Sequence, residues 1–346
     1  MKTRMRARGA LYGLAIGDAL GMPTQMLSRP QIVARWGTLL AGFEPAPPGH
    51  PIAAGLPAGT VTDDTEQAVL LGRLLVRGHG AVDPRELAQA LVSWERDMAA
   101  RGSLDLLGPS TRRAVAAVLA GVPPEEAGAS GTTNGAAMRI APVGIAVNLD
   151  LPDPRRAARP ALSTLTDRVE AASRVTHNTS VALAGAAAVA AAVSAGVSGA
   201  GPGEATAFAV DAAGIAAGRG HWVAGADVAT RIEWATGLVT GLDIAAAADV
   251  IYTLVGTSLA TQESVPAAFA VLAAVPDDPW QACLLAASLG GDCDTIAAMV
   301  GAMAGACHGL EAFPAGALAV IDAQDLGLTA LADDLCALRS RAGRGG

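Results

Sequence analysis

The sequence predicts an all-α fold, and three observations support that prediction. Apolar residues recur at helical spacing along most of the chain, and many of these segments end at Gly or Pro. Ala, Val and Leu make up most of the apolar content, while aromatic residues reach only 3%, which favours closely packed helices. Alternating strand patterns are hard to find.

The helical segments are taken in chain order from their periodicity and stop signals. "GVPP" at 121–124 and "AVPDDP" at 274–279 are typical stops. The predicted helices cover 8–22, 64–78, 84–100, 109–120, 168–196, 205–217, 226–240, 244–260, 264–274, 279–289, 294–309 and 328–341. Their number and lack of a clear linker predict one domain spanning residues 1–340, followed by a disordered tail at 341–346.

Two connecting segments are predicted as irregular. Residues 41–60 are rich in Pro and Gly and read as a long surface loop that leads into an acidic pair. Residues 149–160, "LDLPDPRRAARP", are expected to form a loop or a short exposed helix.

Charge and composition restrict the partners. The net charge of −8 argues against nucleic acid, which requires a basic stripe. Residues 180–201 are long and apolar enough to span a membrane, but their Ala and Gly content favours a buried helix. The basic and then apolar beginning of the chain resembles a signal peptide, which Asp18 interrupts. We expect a cytoplasmic monomer that docks on no membrane.

The four cysteines, Cys283, Cys293, Cys307 and Cys336, have no C-x-x-C spacing. We therefore expect reduced thiols rather than a disulfide framework or a zinc site.

Two acidic clusters stand directly ahead of apolar helices. The first is Thr62-Asp63-Asp64, and the second is Asp292-Cys293-Asp294-Thr295. Taken singly, each cluster is explained by helix capping. Taken together, four carboxylates and two hydroxyls exceed the needs of two caps, and an all-oxygen set suits Mg²⁺, Mn²⁺ or Ca²⁺. The pair predicts a site for two cations, provided that the two helix starts meet.

The helix after Asp294 carries Gly301, Gly305 and Gly309 at intervals of four residues. We expect this bare face to pack closely against another helix.

At this point the chain resembles the ADP-ribosylglycohydrolases. The matching blocks are "GALYGLAIGDALGMP" (9–23), "TDDTEQAV" (62–69), "GTTNGAAMRIAPVGI" (131–145), "THNTSVA" (176–182), "ESVPAA" (263–268) and "GGDCDTIAAMVGAMAGA" (290–306). They follow the family's order and cover nearly the whole chain. The resemblance implies a compact single-domain orthogonal helical bundle with a dinuclear magnesium site; Mn²⁺ is a possible substitute.

The resemblance also assigns roles to individual residues. Metal ligation is carried over to Thr62, Asp63, Asp64, Asp292, Asp294 and Thr295. The implied reaction is hydrolysis of a glycosidic bond at the anomeric carbon of a ribose, on a small-molecule or protein-linked substrate. A water must then be activated by the metals or by a carboxylate, and the candidate bases are Asp63, Asp64 and Asp292.

Substrate contacts are expected from Gln25, from the loop 131–135 with Asn134 and Gly135, and from His177 and Trp222. The backbone amides of the loop suit a diphosphate, and Asn134 suits a ribose hydroxyl. The alternatives are a simple turn for the loop, a satisfied buried histidine for His177 and a surface-anchoring aromatic for Trp222. Asp18 is expected to accept hydrogen bonds beside the metals.

Three positions depart from the family pattern. Gln25 stands where many members carry a glutamate, Leu106 stands where many carry an aspartate, and Cys293 stands where threonine is usual. Glutamine cannot act as a base. Three functions therefore stay open: an ADP-ribosyl hydrolase, a nucleosidase-like hydrolase of small ribosides, and a non-catalytic, metal-dependent ADP-ribose binder.

Overall fold

A computed structural model describes residues 1–100, 107–149 and 159–342 of the chain. The α-helices are α1 (Lys2–Gly21), α2 (Arg29–Trp36), α3 (Asp63–Arg77), α4 (Pro84–Ala100), α5 (Pro109–Leu119), α6 (Pro124–Ala127), α7 (Gly135–Met138), α8 (Ala141–Ala146), α9 (Arg159–Ser173), α10 (Ser180–Ser198), α11 (Pro202–Ala216), α12 (Val228–Leu238), α13 (Ile244–Val250), α14 (Thr261–Ala274), α15 (Pro279–Ala287), α16 (Cys293–His308), α17 (Ala315–Asp322) and α18 (Leu328–Ala342). Over these ranges the only β pairing is two isolated bridges. The predicted all-α class is confirmed.

Helices α1 and α16 pack backbone to backbone in antiparallel directions. A Cβ added to Gly13 would lie 2.1 Å from the carbonyl oxygen of Gly301, and one added to Gly301 would lie 1.9 Å from that of Gly13. One added to Gly305 would lie 2.0 Å from the carbonyl oxygen of Gly9. These distances leave no room for a side chain, so glycine is required for this approach. The predicted bare face of α16 has its partner in α1.

The same approach brings the end of α1 to the beginning of α16. A Cβ on Gly21 would lie 2.2 Å from Cα of Asp294. Gly309 continues this packed face, since a Cβ on Gly9 would lie 2.6 Å from its carbonyl carbon. Its φ of +92° also ends helix α16 there.

Helix α10 forms the apolar centre of the fold. Every residue from Ser180 to Val197 is buried. Gly196 lies against the backbone of Ala306, where an added Cβ would be 2.9 Å from the carbonyl carbon. Within the described ranges this is the one helix long and apolar enough to cross a membrane by length and composition, and its apolar window is wholly buried. The expectation of a buried helix at this place is confirmed.

The largest group of buried apolar side chains is one contiguous cluster, with members from Ala7 in α1 to Cys336 in α18. This shared core makes the described helices one compact domain. All four cysteines are buried and unbridged.

Helix boundaries differ from the sequence predictions at several places. The segment predicted as one helix over 168–196 is broken at 174–179, because Thr179 caps α10 and accepts a hydrogen bond from the amide of Ala182. The segment predicted over 244–260 passes into a π-helical turn at Ile251–Val255 and stops at Gly256, whose φ is +91°. The sequence patterns did not predict five helices: α2, α17 and the short helices α6, α7 and α8.

The connecting segments agree in part. Residues 41–60 contain turns but no helix, as expected for a loop. Most of the predicted 149–160 loop lies outside the described residues. The tail predicted at 341–346 is corrected at its start, because α18 continues to Ala342; positions 343–346 lie outside the described residues.

Replacing Gly301 by Ala is expected to destabilise the fold by about 1–3 kcal/mol or more, because the new methyl group meets the Gly13 backbone. The matched control is Gly214→Ala on the exposed face of α11, where an added Cβ meets nothing within 4 Å. That change should stabilise by about 0.5–1 kcal/mol. Urea denaturation of both variants measures the difference, and equal stability would contradict the packing.

Candidate functional site

Helix α3 begins at the first acidic cluster because Thr62 caps it. Thr62 has an extended backbone, and its hydroxyl oxygen accepts a hydrogen bond from the amide of Asp64 at 3.4 Å. The same hydroxyl donates its proton to Oδ1 of Asp18 at 2.7 Å. The capping interpretation is therefore correct for Thr62, but it does not account for the carboxylates that follow.

Asp18, near the end of α1, organises the start of α3. Its side chain is fully buried, and Oδ2 accepts from the amides of Thr62 and Thr65 at 2.9 and 3.1 Å. Oδ2 also accepts from the Thr65 hydroxyl at 2.5 Å. Burial raises the pKa of Asp18 to about 6, although the bonds from Thr65 and Thr62 act in the opposite direction. Asp18 has the predicted role of an acceptor that holds neighbouring backbone in place.

Sequence reasoning missed Thr65 as part of this arrangement. The available signal was the second threonine in "TDDT", one residue after the acidic pair.

Helix α16 begins at the second cluster, directly after two glycines, Gly290 and Gly291. Gly290 and Gly291 have φ of +89° and +71°, and a Cβ on Gly291 would lie 2.3 Å from the carbonyl oxygen of Thr257. The amide of Asp292 donates to that same oxygen at 2.7 Å. These contacts with Thr257 fix the backbone that carries Asp292 and Asp294.

The two clusters meet. The hydroxyl of Thr295 donates to Oδ2 of Asp64 at 3.2 Å, joining the start of α16 to the start of α3. Oδ2 of Asp292 accepts from Nδ2 of Asn134 at 2.5 Å, which adds the loop 131–135. Segments far apart in the sequence therefore converge on one place.

Negative charge is concentrated at this meeting point. Asp64 is 1% exposed, and its Oδ1 is buried without a hydrogen-bond partner. Burial raises the pKa of Asp64 well above its usual value, and repulsion from Asp294, Asp63, Asp18 and Asp292 raises it further. A buried, partnerless carboxylate oxygen among like charges is the chemical environment that a bound cation satisfies.

Asp292 is only half-buried, and its pKa is also raised. Burial raises that pKa to about 6, against the opposing hydrogen bonds from Asn134 and Thr295.

A cavity of about 470 Å³ opens at the joined helix starts. It is lined by Gln25, Met26, Ile52, Asp63, Gly108, Pro109, Thr111, Thr133, Asn134, Gly135, Met138, Ser258, Leu259, Gly291, Asp292, Asp294 and Thr295. None of these described lining residues is basic or aromatic. The lining combines carboxylates and hydroxyls with apolar side chains, as ligand sites commonly do.

The predicted substrate residues fall into two groups. Gln25, Asn134 and Gly135 line the cavity. Gln25 is 4% exposed, and its Nε2 is buried without a partner. The backbone carbonyl oxygen of Gln25 accepts a hydrogen bond from Nε2 of His50 at 2.8 Å, and this bond joins the 41–60 loop to the site.

His177 and Trp222 lie elsewhere, and this differs from their expected contact with substrate. His177 is fully buried under the loop 131–135, with its ring nitrogens 2.8 Å from the Thr176 hydroxyl and 3.0 Å from the Thr133 hydroxyl. Trp222 is 81% exposed and is not part of the cavity lining. Leu106 lies outside the described residues.

The donor chemistry fits hard divalent cations, with one qualification from the geometry. Carboxylate and hydroxyl oxygens are the ligands that Mg²⁺ and Mn²⁺ prefer. Within the described ranges, no group of three or more His, Cys, Asp or Glu side chains is already arranged around a single ion position. Hydroxyl oxygens such as those of Thr62 and Thr295 would therefore have to complete the ligand set of any ion held here.

Comparisons with known proteins agree with this geometry. The family model described as ADP-ribosylglycohydrolase matches residues 1–345. The chain is 34% identical over 328 residues to YegU of Escherichia coli K12, covering 93% of both chains. It is 26% identical to the ADP-ribosyl-[dinitrogen reductase] glycohydrolase of Rhodospirillum rubrum, covering 92% of this chain and 90% of that one.

A solved structure titled ADP-ribosylglycohydrolase-related protein complex has a TM-score of 0.66 and 27% identity, covering 98% of this chain and 100% of that one. The fold of the whole described chain is thus the fold of that group. The chain belongs to the ADP-ribosylglycohydrolase family and is a glycosidase.

Proposed function

We propose that the chain hydrolyses the glycosidic bond of an ADP-ribosylated substrate with the help of two divalent cations, Mg²⁺ or Mn²⁺. The observation that carries the proposal is the meeting of two acidic helix starts beside one cavity, around the partnerless Oδ1 of Asp64. The proposed cation ligands are Thr62, Asp63, Asp64, Asp292, Asp294 and Thr295. When bound, such cations supply positive charge that orients ribose hydroxyls and stabilises a charged transition state.

Among the three candidate bases, the cavity separates Asp64 from the other two. Asp63 and Asp292 are half-buried and line the cavity, whereas Asp64 is buried and does not. Their exposure to the cavity supports Asp63 and Asp292 as the groups that would accept a proton from a water molecule beside the sugar. Asp64 contributes charge from behind them.

Hydrogen bonds fix the orientation of both facing carboxylates. Oδ2 of Asp63 accepts from Nε2 of Gln67 at 2.8 Å, and Oδ2 of Asp292 accepts from Asn134. Such preorganisation avoids reorientation during the reaction.

A nucleosidase-like reaction on small ribosides is the second candidate. The lining favours it in one respect: no described lining residue is an aromatic side chain to stack an adenine or a cation to pair with a diphosphate. ADP-ribosyl hydrolysis remains the first choice because the Rhodospirillum rubrum relative is named for that activity and covers nearly the whole chain.

Substitution of Asp64 by Asn tests the cation site. In the absence of metal we expect this variant to be at least as stable as the wild type, because a buried repulsive charge is removed. We expect it to bind fewer than two Mg²⁺ per chain in calorimetric titration. Turnover should fall by at least about 100-fold, because cation stabilisation of a transition state is worth several kcal/mol.

The matched control for that experiment is Asp211→Asn on the exposed surface of α11. It should bind metal and turn over substrate like the wild type. Unchanged metal stoichiometry and rate in Asp64→Asn would remove the site from consideration.

Substitution of Asp18 by Asn tests the support behind the ligands. The amide group would replace an acceptor that holds four donors from Thr62 and Thr65 with one that also carries protons. We expect Mg²⁺ affinity to fall about 10- to 100-fold while ligand identity is unchanged. Calorimetry measures this loss; an affinity equal to that of the wild type would show that Asp18 has no positioning role.

Gln25→Glu tests which acceptor group the cavity takes. A carboxylate at this position would line the cavity, and glutamate can exchange a proton where glutamine cannot. With Mg²⁺ present, we expect wild type and variant to differ in relative kcat/KM on ADP-ribosyl-arginine, O-linked ADP-ribosyl compounds and simple nucleosides. Identical profiles would place Gln25 away from the reacting bond.

The wild-type profile on the same substrates separates the candidate functions. Hydrolysis of ADP-ribosyl compounds supports the proposal, and hydrolysis of nucleosides alone supports the second candidate. Tight ADP-ribose binding without turnover of any substrate would make the chain a binder.

A further inference from the structure

Arg139, directly after α7, is a buried cation that the proposed reaction does not use. It is 1% exposed and forms no direct ion pair within the described residues. Its NH1 donates to Oε1 of Gln67 at 3.2 Å, and its NH2 donates to the Thr176 hydroxyl at 2.5 Å. Burying a guanidinium is costly, so a position that keeps one calls for a function.

The first arm of Arg139 fixes the orientation of Gln67. A guanidinium has only donors, so the fully buried Gln67 must turn its oxygen toward Arg139. Its NH₂ group then faces the other way and donates to Oδ2 of Asp63 at 2.8 Å. A cavity carboxylate is thereby held through one intermediate residue.

The second arm fixes the direction of a chain of hydrogen bonds. Since the Thr176 oxygen accepts from Arg139, its own proton goes to Nδ1 of His177 at 2.8 Å or to the Ser173 carbonyl oxygen at 3.4 Å. The shorter distance favours His177. Nδ1 is then the bare nitrogen, and Nε2 carries the ring proton.

His177 continues this chain of hydrogen bonds, in the same donor-to-acceptor direction, to the cavity. Burial, followed by repulsion from Arg139 and Arg113, lowers the pKa of His177 well below its usual value, so the ring holds one proton. Nε2–H donates to the Thr133 hydroxyl oxygen at 3.0 Å. Thr133 lines the cavity and makes no other side-chain hydrogen bond within the described residues, so its hydroxyl proton is left for a ligand.

We propose that Arg139 is a positioning residue that sets the direction of both hydrogen-bond chains, and that Thr133 donates a hydrogen bond to an acceptor oxygen of the bound ribosyl substrate. The ligand part of this inference rests on the proposed function. The ligand group that matches a hydroxyl donor is a phosphate or hydroxyl oxygen of the ribosyl substrate. Because three carboxylates already line the cavity, an anionic ligand needs hydrogen-bond donors there.

The tautomer of His177 tests the direction without any ligand or turnover. The full chain, labelled with ¹⁵N-histidine, contains five histidines, and a His177→Gln variant identifies the His177 signals by their loss. Long-range ¹H–¹⁵N correlation should show a proton on Nε2 and a bare Nδ1. A proton on Nδ1 in the wild-type protein would reverse the chain and overturn the inference.

Arg139→Met tests whether Arg139 is the cause. Removal of all its donors leaves the Thr176 oxygen able to accept from Nδ1, so the Nδ1–H form of His177 should become populated. An unchanged, pure Nε2–H form would show that Arg139 does not set the direction. Should this variant fail to fold, the wild-type tautomer and the Thr133 variants still decide the outcome.

Thr133→Val and Thr133→Ser test the donor at the cavity. ADP-ribose affinity, measured by calorimetry with Mg²⁺, should fall about tenfold in Thr133→Val, because a hydrogen bond to a charged group is lost. Thr133→Ser should restore it, and Mg²⁺ binding should be unchanged in both. Equal ADP-ribose affinity in the Val variant and the wild type would overturn the donor role.

Failure of the proposed function can be told apart from failure of the role proposed for Arg139. If the wild-type chain binds no ADP-ribose, the proposed function and the ligand role of Thr133 both fall, while the His177 tautomer, compared between the wild type and Arg139→Met, still decides the role of Arg139.

Discussion

The close contact between α1 and α16 is the constraint on which the rest of the structure depends. Glycines of α1 face glycine, alanine and the Asp294 backbone of α16, so the two backbones touch along several turns. Because the helices are antiparallel, the end of α1 meets the beginning of α16, with Gly21 against Asp294. Asp18, one turn earlier on α1, then holds the beginning of α3. One helix thus places two others.

The placement has an electrostatic consequence. Two unit charges about 4 Å apart interact by about 4 kcal/mol at an effective dielectric constant of about 20. Several carboxylates brought together in a buried setting therefore oppose folding by an amount comparable with the net stability of about 5–15 kcal/mol of an ordinary domain. Burial raises the pKa of Asp64 well above its usual value, and repulsion from the neighbouring carboxylates raises it further, whereas burial alone raises the pKa values of Asp18 and Asp292. Divalent cations bound between the helix starts would convert the repulsion into attraction.

Much of this arrangement follows from local sequence signals. Apolar periodicity gave the all-α class, the threonines and aspartates marked the beginnings of α3 and α16, and the glycines of α16 indicated a close partner. The identity of that partner depends on glycines at matching intervals in α1, which a single helical pattern does not reveal. The position of His177 is hard to anticipate for a similar reason, because its fully buried ring contacts threonines from two separate segments. The break between α9 and α10 was missed although residues 174–179, "RVTHNT", contain one apolar residue and end at the capping Thr179.

Anomalous diffraction from a crystal of the Mn²⁺-loaded chain tests the central claim most directly. The account predicts two anomalous peaks about 3.5–4 Å apart, contacted by oxygens from both the Thr62–Asp64 and the Asp292–Thr295 segments. No peak between these segments, or peaks that contact only one of them, would contradict it.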